Sequence, residues 1–206
     1  MADHSYYPLI QIKDRRVVLS VDDLFDHEGL EYLQSCLRTE KPSAAILGYT
    51  DPKNQQEYYE MVTEAHKHRK SNVCFLDLFE YEFLYKKFCI AIHHVNSTNF
   101  NKILYGIEPL QFAEYDSKYN GFYGVHPDAR NTDDALTRSL SFSMQLSKPE
   151  EYEGGELLVY DGNTTYTANK SYGSITFFDS RMFHEVTPVT SGFRKSIVGW
   201  VLGPRV

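Results

Sequence analysis

The hydrophobic period of this chain switches from helical spacing to a period of two near residue 108, and no other feature restricts its fold as tightly. Before the switch the signals are helical. Asp26 suits an N-cap, with Leu30, Leu33 and Leu37 recurring on one face behind it. Pro52 fits the first turn of a second helix, in which Tyr58, Met61, Val62 and Ala65 share a face. That helix runs into the basic stretch His66-Lys67-His68-Arg69-Lys70, which suits the negative end of a helix dipole. A third helix is expected over about residues 78–95, with Tyr81, Leu84, Tyr85, Phe88, Ile92 and Val95 as its stripe. After the switch, Gly, Asn, Asp and Pro punctuate short alternating segments. Strands are expected near 110–116, 121–128, 138–147, 156–160, 164–169, 173–179, 184–189 and 193–202. So many short strands in one half of a chain describe a sandwich or a jelly-roll barrel.

Segment 138–147 alternates most strictly. Leu140, Phe142, Met144 and Leu146 fall on one face, and Ser139, Ser141, Ser143 and Gln145 on the other. In a two-layer domain the apolar row packs beneath the N-terminal helices, and the polar row lines the barrel interior. Hydroxyls and an amide make poor core but a reasonable lining for a polar ligand. The expected architecture is thus α+β with a mainly β core. Residues 1–206 form one domain, in which a helical half, 1–102, packs on a jelly-roll core, 103–206. A length of 206 residues suits that single domain.

Composition narrows the function. Lys and Arg number 21 against 28 Asp and Glu, a formal net charge of −7. Proteins that hold nucleic acid by its backbone usually carry the opposite sign, so nucleic acid is not an expected partner. No apolar run of about 18 residues occurs, so no membrane-spanning helix is expected. The opening MADHSYYPLIQIKD lacks the basic-then-apolar order of a secretory signal. Three cysteines, Cys36, Cys74 and Cys89, are odd in number and set among apolar residues. They read as buried free thiols in a reducing compartment, and the expected location is cytoplasmic.

His126-Pro127-Asp128 places a nitrogen and an oxygen ligand two apart on an expected strand, on one face. His184 follows at the start of another. Two histidines and one carboxylate on one side of an octahedron leave positions open, the facial triad of non-haem Fe(II) oxygenases. Alone, the pattern also fits a solvated surface pair and a satisfied core histidine. Arg194 adds weight. It shares strand parity with Ser196 and Trp200, and its own strand offers no carboxylate to a buried guanidinium. A ligand carboxylate meets that need.

At this point the segment LQFAEYDSKYNGFYGVHPD (110–128) resembles the first metal-binding stretch of the iron(II)/2-oxoglutarate-dependent oxygenases of the prolyl hydroxylase type. EYEGGELLVY (151–160) and GSITFFDSRMFHEVTPVTSGFRKSIVGWVLG (173–203) resemble the later strands of the same group. The resemblance runs from about residue 103 to the C-terminus. It implies a double-stranded β-helix, a jelly-roll barrel buttressed by preceding helices. It implies that His126, Asp128 and His184 hold Fe(II), and that Arg194 pairs with the distal carboxylate of 2-oxoglutarate. Ser196 adds a hydroxyl there, Tyr115 donates to the co-substrate, and Trp200 closes the deep end of that pocket. Position 145 departs from the pattern: relatives usually carry an aromatic residue where this chain has Gln145, whose amide stands in as donor. The implied cofactor set is Fe(II), 2-oxoglutarate and O2, with ascorbate as an accessory. The implied reaction hydroxylates a C–H bond while 2-oxoglutarate and O2 become succinate and CO2. The expected partner is a proline-containing protein or peptide.

Three other readings compete: hydroxylation of a free amino acid or another small metabolite, a non-catalytic jelly-roll binding protein, and a zinc hydrolase on the same ligands, which has no use for Arg194. His66 with His68, and His93 with His94, point apart on a helix and make poor ligand pairs. Arg130 and Arg138 read as solvated arginines flanking the mouth, and Gly154-Gly155 as a turn.

Overall fold

The structure, a computed structural model, describes residues 17–46, 53–129 and 135–205. Strand β1 (Val18–Val21) leads into helix α1 (His27–Leu37). The Asp26 carboxylate accepts from Gly29 N at 2.8 Å, and Leu30, Leu33 and Leu37 are buried. Strand β2 (Ser43–Ala44) precedes helix α2 (Gln55–Ala65). Pro52 lies outside the described residues. The helix is instead opened by Asn54, whose side chain accepts from Glu57 N at 2.9 Å. An amide oxygen satisfies an orphan first-turn N–H, which proline cannot do. Ala65 is buried, and Tyr58, Met61 and Val62 are half-buried.

The basic run does not stay on the helix. After exposed His66 and His68 the chain re-enters the fold as β3 (Arg69–Lys70) and β4 (Asn72–Phe75), with Arg69 buried. Helix α3 (Glu82–Val95) buries all six stripe residues, Tyr81 just preceding it, and leaves His93 and His94 exposed. A π-helical turn, Asn96–Phe100, then carries the chain to Lys102. The N-terminal stretch is therefore helical and stranded together, because β1 to β4 join the sheets. Strands of two to four residues hold too few alternations for a period of two to register.

The remaining strands are β5 (Gly106–Ile107), β6 (Gln111–Asp116), β7 (Phe122–His126), β8 (Leu136–Gln145), β9 (Tyr152–Gly154), β10 (Leu157–Asp161), β11 (Thr164–Thr167), β12 (Ile175–Asp179), β13 (Phe183–Val186) and β14 (Val189–Pro204). Each strand expected beyond residue 108 is present within a few residues. Among the described residues, a large sheet runs β1-β12-β8-β14-β6-β4-β2, with β5 and β9 also on β14. A smaller sheet runs β11-β10-β13-β7-β3. All pairings are antiparallel, and the two faces form a double-stranded β-helix.

The strict alternation of β8 decides which face is which. Leu140, Phe142, Met144 and Leu146 are buried with Leu33, Leu84, Phe88 and Val95 from the helices. The Phe88 and Phe142 rings lie 4.6 Å apart. Each such side chain contributes about 1.5–3 kcal/mol by leaving water. Gly199, the cross-strand partner of Phe142, lets that ring lie on the β14 backbone: a Cβ there would fall 2.2 Å from Phe142 Cζ. The other face of β8 turns inward, where Ala113, Tyr115, Leu157, Val159, Phe178 and Val186 make a second, smaller apolar cluster. Cys36 and Cys74 are half-buried and Cys89 is exposed; all three are free. The expectation of three buried thiols thus fails at Cys89, whose place on α3 lies outside the helix's apolar stripe. Among the described residues no helix is long and apolar enough to cross a membrane.

Candidate active site

Strands β7 and β13 pair so that His126 and His184 are direct cross-strand neighbours on the small sheet. Their rings lie 4.3 Å apart and both face the interior. Asp128 is not on the strand, which ends at His126. Its carboxylate is placed by a bend in which Asp128 N and Ala129 N both donate to Ser180 O, at 2.9 and 2.8 Å. Asp128 Oδ1 is 3.7 Å from His126 Nε2, and Oδ2 is 3.4 Å from His184 Nε2. One ligand atom from each of the three residues lies within 4.8 Å of the other two.

The surrounding groups set the chemical state of this cluster. His126 Nδ1 lies 2.8 Å from Gly124 O, and His184 Nδ1 lies 3.0 Å from Met182 O. Each carbonyl accepts a proton from Nδ1, so the Nε2 lone pairs face one another and the carboxylate. Burial, with His184 adjacent, lowers the His126 pKa to about 4 and keeps the ring neutral. Ser141 Oγ donates to Asp128 Oδ2 at 2.8 Å and lies 2.8 Å from Ser180 Oγ. Two imidazoles and one oriented carboxylate lining one hollow fit a divalent iron.

A hollow of about 430 Å³, counting its open mouth, joins this cluster to Arg194. His126, Asp128, His184, Tyr115, Arg194, Ser196 and Trp200 all line it. Arg194 is 3% exposed, and among the described residues no carboxylate comes within 4.0 Å of its guanidinium. Its contacts are Ser196 Oγ at 3.3 Å and the Tyr115 ring, 5.3 Å below it. Gly154 and Gly155 both have left-handed φ, 71° and 61°. A Cβ on Gly155 would press on Arg194 Cδ at 3.0 Å, so the glycine pair leaves room for the arginine stem.

The two remaining expected residues occupy different parts of the interior. Gln145 does not line the metal-side hollow. It faces an adjoining cavity of about 250 Å³ behind Arg194, where its amide donates to Tyr152 Oη at 2.8 Å. Trp200 lines the hollow. Six residues separate it from Arg194 along β14, about 20 Å at strand rise, and its partner across the ladder is Ser141, which holds Asp128.

Arg138 is unlike its expectation. A β-bulge shifts the β8–β14 register between Val201 and Leu202, turning Arg138 from the helix face to the interior. There it lies 3.7 Å over the Trp200 ring and holds Glu108 through bonds of 2.9 and 2.6 Å. Its Nη1 approaches Asp128 to 3.9 Å. Arg130 lies outside the described residues.

Sequence patterns gave no sign of Tyr123, Arg69 or Gln111. Tyr123 stacks on His126 with centroids 3.7 Å apart. A strand normally turns residues three apart to opposite faces, and a second bulge, between His184 and Val186, overrides this.

The barrel thus presents to one hollow two histidines and an aspartate able to hold a metal ion, and an arginine with no acidic partner among the described residues. Sequence comparison is specific about the kind of site. The pattern of the 2OG-Fe(II) oxygenase superfamily matches residues 110–202, just under half of the chain. Members use Fe(II), 2-oxoglutarate and O2. A "PKHD-type hydroxylase" of Crocosphaera subtropica is 40% identical over 99 residues, 46% of this chain and 43% of the relative. The chain thus spans under half the length of the curated relatives it matches. The fold is that of solved prolyl hydroxylases. A Pseudomonas putida prolyl-4-hydroxylase superposes with a TM-score of 0.69 at 18% identity, covering 92% of this chain and 94% of that one. A Trichoplax adhaerens prolyl hydroxylase, solved with a hypoxia-inducible factor peptide, gives 0.66 at 16% identity, covering 90% and 83%.

Proposed function

We propose that this chain is an Fe(II)/2-oxoglutarate-dependent dioxygenase that hydroxylates a prolyl residue in a protein or peptide. The observation that carries the reading is Arg194: a buried guanidinium without an acidic partner, in the same hollow as the His126-Asp128-His184 cluster. An anion from outside the chain is what such a group lacks. The choice of a prolyl substrate is supported by the prolyl hydroxylases among its structural neighbours and by the hydroxylase it resembles in sequence.

Iron, when held by His126, Asp128 and His184, supplies with 2-oxoglutarate and O2 the oxidising power for C–H hydroxylation. The chain's own residues do the positioning. Gly124 O and Met182 O keep both Nδ1 protons in place, leaving each Nε2 free to ligate. Ser141 fixes the Asp128 carboxylate. Arg194 receives the distal carboxylate of the co-substrate, with the Ser196 hydroxyl and the Tyr115 ring beside it. Leu157, Phe178 and Val186 wall the hollow against water. We also propose a cytoplasmic setting, supported by the three free cysteines.

Adding 2-oxoglutarate to the Fe(II)-loaded protein under argon should raise a weak visible band. Admitting air with a panel of proline-containing peptides should release succinate and add one oxygen to a peptide by mass spectrometry. No band and no succinate would leave a binding protein. Activity with zinc alone would indicate a hydrolase.

A further inference from the structure

Arg69 is a second buried guanidinium in the same hollow, and none of the described residues neutralises it. It stands at the seam between the sheets: its strand, β3, pairs with β7 of the small sheet, and its side chain reaches β6 of the large one. It is 7% exposed. Nε donates to Ser71 Oγ at 2.6 Å, Nη2 donates to Gln111 Oε1 at 2.9 Å, and the Tyr123 ring lies 4.5 Å from its central carbon. All three partners are uncharged, and no carboxylate among the described residues lies within 4.0 Å of it. A guanidinium has five N–H groups. Two are engaged, so both hydrogens on Nη1 and one on Nη2 remain, which leaves the outer fork available end-on.

The charges around the site single this residue out. Arg138 is matched by Glu108. On the functional reading above, the ferrous ion and Asp128 are balanced by 2-oxoglutarate with Arg194. Among the described residues, Arg69 then leaves one uncompensated positive charge in that hollow. The co-substrate is not its counter-ion. Gln111, which holds Arg69, pairs with Val198, four residues along β14 from Arg194, or about 13 Å at strand rise. A five-carbon diacid already stretched from Arg194 to the metal has no third carboxylate to offer.

We propose that Arg69 is a substrate-binding residue whose fork holds a carboxylate carried by the molecule being hydroxylated. The inference rests on the functional reading above and adds a chemical class to its substrate. That carboxylate is either the α-carboxylate of a free or C-terminal amino acid, or an acidic side chain beside the oxidised residue in a peptide.

The test uses Fe(II)-loaded protein with 2-oxoglutarate under argon. The chain's single tryptophan, Trp200, lies in the hollow and serves as a fluorescent reporter. Two matched pairs are titrated: N-acetyl-L-proline against its amide, and two peptides that differ only in Asp or Asn next to proline. At least one acid should bind about tenfold tighter than its neutral match, the discrimination expected of a charged hydrogen bond, and the successful pair identifies the carboxylate's source. Arg69→Gln should erase that ratio while leaving 2-oxoglutarate affinity unchanged, and Arg69→Lys should restore part of it. Equal binding of acid and neutral match in the wild type overturns the proposal without any variant being made. So does an unchanged ratio in Arg69→Gln, which would make Arg69 a structural seam, or a loss of 2-oxoglutarate affinity in that variant. Failure of the wild type to bind 2-oxoglutarate strikes the functional reading instead.

Discussion

Replacing Ser141 by alanine removes one hydroxyl that bonds the Asp128 carboxylate and replaces no ligand atom. Ser141 Oγ donates to Asp128 Oδ2 at 2.8 Å, and its own environment is fully buried. A hydrogen bond to a charged acceptor contributes about 1.5–3 kcal/mol, which at about 1.4 kcal/mol per decade is roughly 10- to 150-fold in an equilibrium constant. The lower end applies here. Ser180 Oγ, 2.8 Å from Ser141 Oγ, can turn toward the vacated side, and two backbone N–H groups still fix the bend that carries Asp128. Divalent metal affinity should therefore fall by about tenfold, within the range observed when groups that orient metal ligands are removed. Cobalt(II) titration of the apoprotein, followed by visible absorption, measures it directly. The apo melting temperature of the variant shows whether the site alone has changed. An affinity within about threefold of wild type, with melting unchanged, would mean that the backbone bend positions Asp128 and the serine does not.

Arg194→Ala should weaken 2-oxoglutarate binding by two to three orders of magnitude, since one partner of a buried charged pair is worth about 3–5 kcal/mol; isothermal titration with the metal-loaded protein reads it, and near-wild-type affinity sinks the assignment. Gly199→Ala should lower stability by about 1–3 kcal/mol, because the new methyl collides with Phe142; a urea midpoint equal to wild type would contradict that packing. Burial alone would raise the pKa of Asp179, but hydrogen bonds from Arg181 and Lys102 outweigh it and bring the group from 3.8 down to about 2. Its folded pKa is depressed, so the stability it supplies is complete above pH 3.8 and is lost as the pH falls toward 2. Asp179→Asn should flatten that part of the stability-against-pH curve measured by urea unfolding; an unchanged slope refutes the linkage.

Much of the barrel was legible because its signals are long and periodic. From Leu140 to Gln145 β8 alternates without interruption, and that row alone separates the helix-facing side from the ligand-facing side. His126, His184 and Arg194 were readable for a related reason, since each lies on a strand, whereas Asp128 is brought to them by a bend beyond the end of β7. What escaped depends on breaks in regularity. Arg138 and Tyr123 each reach the interior through a bulge, and a bulge leaves no periodic trace. Arg69 sits in a basic run that helical continuation would expose; only the two-residue strand β3, too short to announce itself, carries it inside. Trp200 shows the limit of parity, which gives the correct face and says nothing about distance along the strand.

The seam residue Arg69 lies upstream of position 110, where the shared superfamily pattern begins. On the two proposals made above, oxidation machinery and this element of substrate recognition are written in different parts of one gene, and each can drift without the other. A chimera that grafts this N-terminal half onto a relative's barrel should inherit the relative's chemistry together with this chain's choice of customer.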